Sequence, residues 1–234
     1  MKSIWLGAVL AAVVIPATWA ADVTGKITLK GTPAPEKEIA ALKNDASCGK
    51  LRTDVPKTRF YVVGAGGELA DVVVYIKEGL TTKGGDAPET PVELDQHGCE
   101  YVPYVVALQT KQKLVIKNSD PLLHNINVNP KVPGNKAFNE AQMGKGPNKI
   151  KTFDNPEMFI SFACNVHPWM FAYVSVFDHP YFAVTGKDGS FKLGNVPPGK
   201  YVIEAFHRKG GKVTKEITVD KDSQVADMAI ELKP

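Results

Sequence analysis

The sequence has few cysteines, hardly any helical periodicity, no low-complexity linker and no apolar run long enough to cross a bilayer. It also lacks a marked charge of either sign. Each shortage excludes something. The 28 lysines and arginines against 25 acidic residues leave a net charge of +3, which gives no reason to expect nucleic acid. The lysine groups Lys111/Lys113/Lys117 and Lys145/Lys149/Lys151 are therefore read as solvated surface. The first apolar stretch, Ile4 to Ile15, falls short of the roughly 20 residues of a spanning helix. Preceded by Lys2 and followed by Pro16-Ala17-Thr18-Trp19-Ala20, it reads as an export signal over residues 1–20, with the mature chain starting at Ala21. No cysteine follows it for lipid attachment and no Arg-Arg pair precedes it. The expectation is a periplasmic or secreted protein with no membrane span after cleavage.

Three cysteines in an oxidising compartment leave one over. Cys48 and Cys99 sit in Gly-flanked, turn-like settings without metal-ligand spacing and are paired here as a disulfide. Closing a loop of about 50 residues stabilises by roughly 4 kcal/mol on the chain-entropy model. Cys164 is then the odd thiol, a liability unless something ligates it.

What the chain does contain is strands. Val23–Leu29, Phe60–Val63, Asp71–Ile76, Val92–Leu94, Val105–Gln109, Lys113–Lys117, His124–Val128, Met158–Ala163, Ala172–Phe177, Tyr201–Phe206, Lys212–Val219 and Asp227–Leu232 are bounded by Gly, Pro, Asn and Asp. Only Pro35–Lys43 and Ala137–Met143 could hold a helical turn or two. Lys83 to Pro88 is the best loop candidate. The class is all-β, as one or two sandwiches.

The stretch Cys164-Asn165-Val166-His167-Pro168-Trp169-Met170 places a thiol, an imidazole and a thioether at i, i+3 and i+6. Leu123-His124-Asn125 supplies a second imidazole after a polar turn. A thiolate, two imidazoles and a weak thioether are the ligand set of a blue-copper electron-transfer site. Thiolate is soft, the imidazoles complete a trigonal plane that suits both Cu(I) and Cu(II), and Pro168 stiffens the loop. The segments Val115–Asp120, His124–Val128, Phe159–Ala163 and Ala172–Phe177 resemble those flanking the ligands in the cupredoxins, amicyanin-like ones above all, over roughly 103–178. That resemblance implies a Greek-key β-sandwich with one type 1 copper on His124, Cys164, His167 and Met170, and Asn125 bracing the ligand loops. Met170, set between Trp169 and Phe171, is also suited to filling core. Trp169 and Phe171 fit an apolar docking rim or sandwich packing equally well. The lone His97, His179 and His207 read as surface or edge residues.

Toward the C-terminus, Gly186-Lys187-Asp188-Gly189-Ser190-Phe191 and Asn195-Val196-Pro197-Pro198-Gly199-Lys200-Tyr201 resemble the carboxypeptidase regulatory-like module, a small transthyretin-like β-sandwich. Val23–Leu29 and Asp71–Ile76 look like its opening strands. Two arrangements follow. The one adopted is tandem, with a cupredoxin-like domain at 21–178 and the second, smaller β-sandwich at 179–234. The alternative splits the module into 22–78 and 181–234, with the copper domain inserted.

The expected function is carriage of single electrons between redox partners, such as a cytochrome c and a periplasmic dehydrogenase or oxidase. A copper carrier or storage protein is the alternative, but the five methionines are not clustered. Multicopper oxidases and nitrite reductases need His-x-His or Cys-His pairs, and haem attachment needs Cys-x2-Cys-His. None occurs, so no enzyme is expected.

Overall fold

The computed structural model describes residues 20–81 and 84–232. The export signal lies outside them, apart from Ala20. Among the described residues no helix is long and apolar enough to cross a membrane. Nearly all regular structure is strand, arranged as four sheets around two cores, in keeping with the all-β class.

The first pair of sheets joins the two ends of the chain. Strand β1 (Ala21–Lys30) runs antiparallel to β13 (Ser190–Val196) and parallel to β16 (Gln224–Val225) and β17 (Met228–Glu231). The second sheet runs in the order β12 (Phe182–Val184), β2 (Val72–Glu78), β14 (Gly199–His207) and β15 (Gly211–Val219). Val23, Ile27 and Leu29 alternate inward from β1 and meet Val72, Val74 and Ile76 of β2 and Ile203 and Ala205 of β14, the period-2 burial of a strand with one wet face. The turns at 186–189 and 197–198 carry the chain between these two sheets. In the first, Gly189 donates to Gly186 O at 2.9 Å and takes φ +70°.

The middle of the chain builds the other pair. One sheet has the order β5 (Val105–Gln109), β11 (Phe171–Phe177), β10 (Glu157–Ala163), β7 (His124–Val128), β8 (Phe138–Gln142). Its mate has the order β4 (Glu100–Val102), β3 (Val92–His97), β6 (Leu114–Asn118), β9 (Lys149–Lys151). Leu94, Tyr101, Leu114 and Ile116 from one sheet and Ile126, Phe162, Ala172 and Val174 from the other share one buried core. A third apolar cluster, with Val73, Tyr104, Val105 and Phe177 buried, seals β2 against β5 and β11.

A division at 178/179 therefore passes between hydrogen-bonded strands. The N-terminal β1 and β2 pair with strands that follow residue 181. Two local expectations also change. Ala137–Met143 holds β8 rather than a helical turn, with Phe138, Glu140 and Gln142 on one face and His124 paired with Gln142. Phe60–Val63 is not a strand beyond one bridge at Val63. The amides of Phe60 and Tyr61 donate instead to the Glu36 carboxylate at 2.9 and 2.6 Å. The expected helical turn is α1 (Ala40–Asn44), followed by a short 3-10 turn at Cys48–Leu51. Leu42 and Cys48 from this segment are fully buried in the core of the middle sandwich.

Candidate metal centre

His124 opens β7, where the chain leaves a braced turn. Asn118 Nδ2 donates to Leu122 O at 2.8 Å and Gln142 O at 3.0 Å, which holds the turn onto β8. Asp120, inside that turn, meets His124 Nε2 at 2.9 Å through Oδ2. The same carboxylate accepts the amides of Gly98 and Cys99 at 2.7 and 2.8 Å. Those amides converge because Gly98 and Cys99, the two residues joining β3 to β4, both have positive φ, +61° and +54°, the conformation of a tight type I′ hairpin. With Nε2 committed to Asp120, Nδ1 of His124 is the nitrogen that faces inward.

The other donors come from the loop between β10 and β11. Cys164 N–H donates to Met170 O at 3.0 Å and Met170 N–H to His167 O at 2.9 Å, so the loop closes on itself. His167 Nδ1 then lies 2.9 Å from His124 Nδ1 and 3.7 Å from Cys164 Sγ. The three donor atoms lie within 4.8 Å of one another and all three residues are buried. Asn125 holds the two loops together. Its N–H donates to Cys164 Sγ at 3.5 Å, its Oδ1 accepts from Asn165 N–H at 2.5 Å, and its Nδ2 donates to Asn139 at 2.6 Å. Tyr101 OH adds a bond to Asn125 O at 3.0 Å.

The electrostatics suit a metal cation. Burial works against a charged His124, but the hydrogen bonds to Asp120 and Cys164 outweigh it and raise its pKa to about 9. Burial likewise raises the Cys164 thiol, yet its bonds with His124 and the Asn125 amide bring it below the ordinary value. His167 is lowered by burial and by the charge of His124. Two imidazoles share a hydrogen bond beside a thiol whose pKa its hydrogen bonds lower. A soft cation would replace the proton between the rings and neutralise the thiolate. The donor set therefore fits copper.

Of the expected residues, the structure brings His124, Cys164 and His167 together and sets Asn125 across them. Met170 is buried in the adjoining core and closes the loop through its backbone. Cys48 and Cys99 form the expected disulfide, and Cys164 is the free thiol. Trp169 is half-buried, its ring centroid 5.4 Å from that of His167 and its Nε1 donating to Cys99 O at 3.1 Å. Phe171 turns toward Tyr104 and the seam between sandwiches. Two histidines read as surface or edge residues are in fact buried: His179, and His207, which stacks on Tyr61 at 5.1 Å. His97 is exposed. Sequence reasoning misses Asp120, whose signal is a carboxylate four residues before a candidate ligand histidine.

No family model matches the chain, and no curated protein matches it. Among solved structures, a copper-containing nitrite reductase from Thermus scotoductus SA-01 is 20% identical over 43% of this chain and 25% of its own, with TM-score 0.34. This chain thus spans a quarter of that enzyme's length. The purple cupredoxin from Nitrosopumilus maritimus is 21% identical over 36% of this chain and 98% of its own, with TM-score 0.31. A methionine-to-alanine mutant of amicyanin in its Cu(I) form is 15% identical over 43% of this chain and 99% of its own, with TM-score 0.34.

Proposed function

We propose that this protein holds one copper ion in a type 1 centre and carries single electrons between redox proteins outside the cytoplasm. The observation that carries the reading is the convergence of His124 Nδ1, His167 Nδ1 and Cys164 Sγ in one buried site. In this reading those three residues are the strong ligands and Met170 is the weak axial one. Copper bound there would cycle between Cu(I) and Cu(II).

The protein's part is to keep the donors still. Asp120 orients His124, Asn125 ties the first-histidine strand to the cysteine loop, and the closed loop from Cys164 to Met170 leaves His167 little freedom. A site that changes little between oxidation states transfers electrons with little reorganisation. Trp169, half-buried against His167, is the route by which an electron would reach the surface. The partner is proposed as a cytochrome c or a periplasmic dehydrogenase or oxidase. The chain is assigned no reaction on an organic substrate. We read the copper domain as an insertion, at about 84–178, in the second sandwich built from the two ends of the chain.

The test is to add Cu(II) to the mature protein and record visible absorption and EPR. An intense thiolate-to-copper band and a narrow copper hyperfine splitting are expected, both lost in Cys164→Ser. A wild-type protein without the band would overturn the reading.

A further inference from the structure

The disulfide lies against the candidate metal centre. The sulfurs of Cys48 and Cys99 and a ring nitrogen of His167 all fall within 4.8 Å of one another, and all three residues are buried. We propose that the dithiol form of this pair, together with His167, is a second soft-metal site that takes Cu(I), which opening the disulfide creates and closing it abolishes.

Two thiolates and an imidazole are a donor set that soft cations such as Cu(I) favour. On one ion, with metal–sulfur bonds of about 2.3 Å, two sulfurs stand about 4 Å apart. The Cα atoms of Cys48 and Cys99 are 5.6 Å apart, so side-chain rotation suffices to open the sulfurs to that distance. Bonds other than the S–S bond keep both backbones in place. Asp45 Oδ1 accepts the Cys48 amide at 2.7 Å, and Asp120 Oδ2 accepts that of Cys99 at 2.8 Å. Trp169 Nε1 holds Cys99 O at 3.1 Å. Leu42 packs with Cys48 in the same core. The reduced pair is thus presented side by side in a dry site, where two thiolates without a cation would be costly.

The redox step balances simply. The disulfide takes two electrons and two protons from a dithiol reductant, which becomes a disulfide itself. Cu(I) then displaces the two thiol protons. The chain passes through the dithiol state in any case, before the S–S bond first closes. Both donor sets include His167, so closing the disulfide releases that imidazole to Cys164 and His124.

The experiment uses the full mature chain carrying Cys164→Ser, which removes the blue-copper thiolate and keeps the result independent of that reading. The protein is refolded anaerobically with a dithiol, desalted, and titrated with Cu(I) from a bicinchoninate complex beside its disulfide form. The reduced form is expected to bind about one Cu(I) more than the oxidised form, with affinity falling at least about tenfold in His167→Ala. Iodoacetamide labelling of Cys48 and Cys99 should be suppressed by Cu(I). Equal uptake by the two forms, or labelling that Cu(I) does not slow, overturns the proposal. A reduced chain that shows no near-ultraviolet circular dichroism, with or without Cu(I), overturns it as well, because the site depends on the folded scaffold. Absence of blue colour in the wild type, with Cu(I) uptake intact here, would refute only the electron-carrier reading.

Discussion

Single residues set the centre's properties from just outside it. Asp120 touches no proposed metal position, yet it fixes which nitrogen His124 turns inward and gathers the Gly98 and Cys99 amides. Asp120→Asn keeps the shape and removes the charge. Copper affinity should fall about 10- to 100-fold while the thiolate band survives, as competition with a chelator would measure. An unchanged affinity would reduce Asp120 to a turn residue. Away from the centre, the buried His207 and the half-buried Asp71 bear on pH stability with opposite signs. Burial, helped by Arg208, pushes His207 down to about 4. Its contribution is complete above the ordinary value of 6.5 and lost as pH falls to 4. Burial pushes Asp71 up to about 6 against the pull of Arg59. Its ionised form therefore costs stability above pH 6, and that cost fades as pH falls toward 3.8. Each effect is on the order of 3 kcal/mol, so the two largely offset. Asp71 has φ +60°, which asparagine tolerates. Asp71→Asn should gain about 1 to 3 kcal/mol at pH 8 and then lose stability steeply toward pH 4. Urea unfolding across that range would show it, and a profile parallel to wild type would sink the assignment.

Among the elements, most of the long alternating strands were legible, β13 excepted, and short ones such as β4, β8, β9 and β12 were not. β1, β7, β10, β11 and β14 carry enough Val, Ile, Leu and Phe at period 2 to announce themselves. β8, Phe-Asn-Glu-Ala-Gln, has one strong apolar residue and owes its strand to pairing with β7 and to the buried Gln142, which Gln96 Nε2 meets at 2.7 Å. The Phe60–Val63 segment has strand composition, but the Glu36 carboxylate takes two of its amides. Composition cannot see such competition from 24 residues away. The segment from α1 to Leu51 is short, but it reaches the core of the middle sandwich through Leu42 and Cys48. Leu42→Ala should cost about 2 to 5 kcal/mol with the disulfide intact, by chemical denaturation. A loss under about 0.5 kcal/mol would mean that the segment is held by the S–S bond alone.

At the scale of the molecule, the two ends of the chain depend on each other. β1 and β2 bury Val23, Ile27, Leu29, Val72, Val74 and Ile76 in one core with strands beyond residue 181, which also supply their sheet partners. A fragment ending at residue 178 would leave that apolar face uncovered. It is expected to aggregate or bind a hydrophobic dye, and to recover on mixing with residues 179–234. A monomeric 21–178 with a dispersed NMR spectrum would favour the tandem arrangement over the inserted one. The all-β class, the Cys48–Cys99 pairing and the candidate ligands His124, Cys164 and His167 could be read from the sequence alone. Residue chemistry, local spacing and a count of three cysteines suffice for those. The tertiary structure decided that Asp120 backs His124, that the disulfide lies against His167, and that the chain's ends close one sandwich. The last two relations join residues brought near by folding, between strands whose partners no local pattern names; the first spans four residues but depends on the Gly98 and Cys99 amides that hold the carboxylate in place.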